Sequence, residues 1–86
     1  MIIDANVARA ISNEHNDTAG TDLLDKVMEE LIIPRAKQGY MCANWEFLRY
    51  DINTYNPVFK RVVEMLNSLG YETELLTKYN YIHIKW

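Results

Sequence analysis

Cys42 and His83 are the two side chains whose types could make a nucleophile. A thiolate beside an imidazole is how a cysteine is activated, and both residues fall on strand-like stretches. The sequence supplies no third group to orient the imidazole and no oxyanion loop, so His83 is read as a surface or interface histidine. His15, Asp17 and Asp22 have metal-binding side chains, but their spacing matches no recognised ligand pattern. Asp22, Asp25, Glu29 and Glu30 recur at helical intervals. Paired carboxylates do acid–base work only in a pocket that shifts their pKa values, and the solvated face of a helix explains these four. Gly20, Gly39 and Gly70 are isolated, which leaves no glycine loop to cradle a phosphate. The expectation is a protein that is not an enzyme, with no catalytic residue, no metal and no cofactor.

The aromatic residues are more informative. Tyr40, Tyr50, Tyr55, Tyr79 and Tyr81 fall at strand ends and turns, with Arg49, Lys78 and Lys85 close in sequence. Tyrosine and arginine give rigid contact area and hydrogen bonds at protein interfaces, and the same residues can stack on a base. Half-exposed tyrosines edging a small sheet are the plainer alternative. The candidate binding residues are Tyr40, Arg49, Tyr50, Tyr79, Tyr81, His83 and Lys85.

The elements that must position them follow from pattern. Asp4 caps a short first helix over residues 5–13, with Val7, Ala10 and Ile11 on one side. The polar run from Glu14 to Gly20 reads as a loop. Thr21 then caps the longest helix, with Leu24, Val27, Met28 and Leu31 as its buried stripe, a kink or pause at Pro34 and a stop at Gly39. Residues 40–48 alternate: Met41, Ala43, Trp45 and Phe47 on one face, Tyr40, Cys42, Asn44 and Glu46 on the other. Arg49 to Asn56 is a connector. Asn56-Pro57 is a cap followed by proline at the first helical position, and the helix runs to Leu69 with Gly70 as its stop. Residues 71–77 and 81–86 are two strands joined by a turn around Lys78, Tyr79 and Asn80. In the last strand Ile82, Ile84 and Trp86 face the core, while Tyr81, His83 and Lys85 face away.

This order predicts an α+β fold: a three-stranded antiparallel sheet with two main helices packed on one face, plus a short N-terminal helix. A helix links the first two strands, so the simplest sheet inserts the last strand between them, antiparallel to both. Eighty-six residues with 49% hydrophobic content make one domain, 1–86, with one core. A core this small is marginal, and a homo-oligomer would relieve that. The net charge is −3, and residues 44–86 carry five acids and five bases. No region is basic enough for DNA binding through counterion release. One cysteine excludes an internal disulfide. The first residues lack the pattern of a signal peptide and no apolar stretch approaches a membrane span, so a soluble protein without membrane contact is expected.

Three runs carry a resemblance: Lys37-Gln38-Gly39-Tyr40, then Leu66-Asn67-Ser68-Leu69-Gly70-Tyr71, then Ile82-His83-Ile84-Lys85-Trp86. Over residues 21–86 the chain resembles a widespread group of small tailed-phage proteins of undefined function, departing from it at Pro34 and in the connector 49–56. The resemblance implies a phage origin and assigns no functional residue. The expected function is a non-enzymatic phage accessory protein, acting in the host cytoplasm, that binds and inhibits or sequesters a host protein or a small nucleotide signal. The alternative is a minor virion or assembly component that contacts other virion proteins.

Overall fold

A computed structural model describes residues 2–86. Its elements are α1 (Ala5–Val27), a π-helical turn (Met28–Ile32), α2 (Ile33–Lys37), β1 (Cys42–Trp45), a 3₁₀ turn (Phe47–Tyr50), α3 (Pro57–Ser68), β2 (Glu72–Leu76) and β3 (Tyr81–Lys85). The architecture is α+β, as predicted. The sheet order is β1-β3-β2, with β3 central and antiparallel to both neighbours.

The ends of α3 are set locally. Asn56 Oδ1 accepts from the Val58 N–H at 2.9 Å, and Pro57 occupies the first turn, where no N–H is needed. At the other end Gly70 takes φ +98° and the Tyr71 N–H donates to the Leu66 carbonyl, the paired closure that a left-handed glycine allows. Gly39 (φ +87°) closes α2 in the same way, with the Tyr40 N–H donating to Arg35.

The N-terminal half departs from expectation. The predicted loop over residues 14–20 is helix, so the short first helix and the longest helix are one continuous α1. Thr21 does not cap a helix; its hydroxyl donates to the Asp17 carbonyl one turn back. Gly20 is buried because α3 crosses there: a Cβ at this position would lie 3.2 Å from Arg61 Cγ and 3.4 Å from Met65 Cε. The glycine is therefore a contact point between helices and not a breaker. Pro34 does not end the helix either. The π turn just before it bonds the Ile33 N–H to Met28, five residues back, and accommodates the lost bond.

The core lies between the helices and one sheet face. Val27, Ile32, Trp45, Phe47, Phe59, Val62, Leu66, Ile82 and Ile84 are buried. Trp45 stacks on Phe59 (5.9 Å between centroids, 20°), and Phe47 meets the Phe59 ring at 4.9 Å. The expected alternation holds for Ala43, Trp45 and Phe47, whereas Met41 lies before the strand and is exposed. Strand β1 is shorter than the predicted run because the chain turns into the 3₁₀ segment after Glu46.

Candidate functional site

Alternation along β3 buries Ile82 and Ile84 and turns Tyr81, His83 and Lys85 to the opposite side of the sheet, as the sequence reading expected. Cross-strand register builds that side into rows. Cys42, Lys85 and Glu72 lie side by side, then Asn44, His83 and Glu74, then Tyr81 and Leu76. Among the described residues no helix packs on this face.

The rows have definite chemistry. His83 Nδ1 lies 2.6 Å from Asn44 Oδ1, so the ring nitrogen donates, and Nε2 is left for another partner. Lys85 Nζ is 3.8 Å from Glu72 Oε2 in an exposed pair that contributes little stability. Tyr79, in the turn, stacks on Tyr81 with centroids 5.8 Å apart and planes at 22°, and Lys78 Nζ lies 5.7 Å from the Tyr79 centroid. The turn that presents Tyr79 is closed by its own N–H donating to Leu76 and by Asn80 in the left-handed region. This end of the face is a partly exposed aromatic shelf beside a mixed-charge sheet.

The other candidates are elsewhere. Tyr40 follows the glycine stop of α2, where the Arg35 guanidinium sits 3.9 Å above its ring. Arg49 is exposed and pairs with Glu46. Tyr50 is a structural residue: its hydroxyl donates to Glu30 Oε2 at 2.7 Å and its ring meets Trp45 edge-on at 6.0 Å. Burial first, then the hydrogen bond and the negative charge of Glu30, push the Tyr50 pKa up to about 12. Glu30 stays exposed with the rest of the acidic row and accepts this bond from the solvated side. Together with Asn44, Trp45, Glu46 and Arg49, this pair walls a depression of about 330 Å³, and Asn44 joins the depression to the open sheet face. The indole N–H of Trp45 is buried with no acceptor among the described residues.

The thiol–imidazole idea gains nothing from the geometry. Cys42 faces Lys85 and Asn44 faces His83, so the thiol is one row away from the ring; no hydrogen bond joins them among the described residues. Asp17, once considered with His15 and Asp22 for a metal, instead accepts from Arg61 Nε at 2.6 Å, and that carboxylate raises the Arg61 pKa. No group of three metal-binding side chains occurs among the described residues. None of the described helices is long and apolar enough to cross a membrane.

Two features escaped the sequence reading. Residues 2–15 are exposed throughout, a helical arm that meets the start of α3 across an open depression at Asn13, with Val7 44% and Ile11 56% exposed. The signal was present in the narrowness of the Val7, Ala10 and Ile11 stripe. The second is an apolar groove between α3 and β2, walled by Phe59, Val63, Leu75 and Ile82. Its signal was Leu75, an inward strand residue at the sheet edge. No family model, curated protein or solved structure matches the chain.

Proposed function

We propose that the protein is a non-enzymatic binding module, a phage accessory protein whose open sheet face binds and holds a host protein. The observation that carries this reading is the uncovered outer face of β3, where Tyr81, His83 and Lys85 continue into the stacked Tyr79. Two stacked tyrosines offer a large contact area that loses little side-chain entropy on binding. A protein partner fits better than a nucleotide. Glu72 and Glu74 balance Lys85 and Lys78, so this face holds no surplus positive charge for phosphates. The test is the double variant Tyr81→Ala with Lys85→Ala, its fold checked by circular dichroism. Cross-linking in infected cells should join wild type to one stoichiometric partner and should fail for the variant; equal cross-linking of both would remove the open face from the reading.

A second reading, an assembly component, is supported by shape. The radius of gyration is 14.6 Å, against ~12 Å for a compact chain of this length. The surface is 6213 Å², against ~5,300 Å² for a compact monomer of 10.1 kDa. The excess of roughly 900 Å² is close to the ~800 Å² each partner gives to an ordinary interface. Homo-oligomers formed through the arm would use it. Light scattering should then give a multiple of the chain mass, and mass spectrometry of purified particles should find the protein in the virion; a monomer mass with absence from particles overturns this second reading.

A further inference from the structure

The free edge of β2 and the groove behind it make a surface that the tyrosine shelf does not use. Among the described residues strand β2 pairs only with β3, so alternate N–H and C=O groups of Glu72–Leu76 point to solvent. On the core side of that edge, α3 leaves the sheet incompletely covered. The groove there holds about 390 Å³, walled by Phe59, Val63, Leu75 and Ile82 with Thr54 and Lys60 at its rim. Leu75 points to the core side and is still 41% exposed. On the opposite side of the same edge stand Glu72 and Glu74, both exposed.

We propose that this edge takes an extended peptide as a fourth strand, with apolar residues at alternate positions and lysine or arginine between them. Strand addition satisfies the open backbone groups, and the pleat sends successive side chains to opposite faces. One set then lies beside Thr73 and Leu75 and enters the groove. The other lies beside Glu72 and Glu74, whose charge selects a basic partner. The same two glutamates disfavour a second copy: two β2 strands paired about their centre would set Glu74 against Glu74. Strand β1 at the other edge lacks this combination, because α2 lies along it and Arg35 Nε reaches the Cys42 carbonyl at 3.4 Å. The proposal deepens the binding-module reading and shares Glu72 and Glu74 with the open face, but its test reads the β2 backbone edge and Leu75, so its failure leaves the cross-linking test of Tyr81 and Lys85 intact.

The experiment is fluorescence anisotropy of the full chain with labelled eight-residue peptides. A peptide alternating lysine and valine should bind about tenfold more tightly than one alternating glutamate and valine. It should also bind about tenfold more tightly than a lysine–valine peptide carrying two central prolines, which cannot pair along a strand. Glu72→Lys with Glu74→Lys should reverse the charge preference, a gain that an unfolded variant could not show. Leu75→Glu, in a chain still folded by circular dichroism, should weaken the lysine–valine peptide about tenfold. Equal binding of the proline-containing peptide, or no reversal by the charge swap, overturns the proposal. So does a doubled chain mass that changes within β2 abolish, which assigns the edge to a second copy.

Discussion

From Asp17 onward α1 lies against α3, with Gly20, Leu24 and Val27 turned into the contact; from Ala5 to His15 every residue of the same helix is exposed, with Asn13 facing Pro57 and Lys60 across an open depression. The two halves differ in where their apolar residues point. At about 100° per residue, Val7 and Ile11 sit about 150° round the helix from the mean direction of Gly20, Leu24 and Val27. The positions that continue the core-facing side into the arm are Asn6, Arg9 and Asn13. The arm is therefore not an unfinished part of the core. Its backbone bonds persist because the helix is already nucleated in the head, the packed part of the molecule from Asp17 onward, where tertiary packing holds it.

Substitutions can break this contrast, and the largest effect belongs to the head. Val27→Asp places a charge where the side chain is 0% exposed and should cost about 4 kcal/mol or more, read as loss of the cooperative urea transition. Gly20→Val forces Arg61 and Met65 aside and should lower stability by about 1–3 kcal/mol, seen in the thermal midpoint. Tyr50 supplies a pH test of the contact between the head's 3₁₀ turn and Glu30. Its folded pKa, about 12, lies above its unfolded value of about 10. The contribution is complete below pH ~10 and is lost as pH rises from ~10 to ~12. The wild type should therefore weaken more steeply over that range than Tyr50→Phe; parallel curves would show that neither burial nor Glu30 disfavours the ionised hydroxyl. The smallest effect is expected in the arm. Val7→Asp with Ile11→Asp should change chain stability by no more than about 0.5 kcal/mol per site. The same pair should reduce any oligomer seen by light scattering, and a loss of stability as large as that of Val27→Asp would erase the distinction between the halves.

The C-terminal third shows why some of the fold is legible directly. Asn56-Pro57 and Gly70 act on backbone groups within a few residues, so the limits of α3 follow from local chemistry. The alternation from Tyr81 to Lys85 assigns its own faces, since a one-residue slip would bury His83 and Lys85. Tyr81, His83 and Lys85 fall on one face for that reason, and the adjoining turn adds Tyr79. Tyr50 does not join them, because its place depends on Glu30, twenty residues earlier in the chain, and on Trp45.

Local signals alone thus determined the ends of α3, the two faces of β3, the sheet order and the α+β class. Each rests on interactions within a few residues or on the handedness of a single connection. Tertiary structure decided that Gly20 and Thr21 continue a helix, that Pro34 is absorbed by a π turn, that Tyr50 packs half-buried against the core and that Leu75 is left uncovered. In each of these cases a weak local preference, on the order of 1 kcal/mol for glycine in a helix, was outweighed or exposed by contacts with residues distant in sequence.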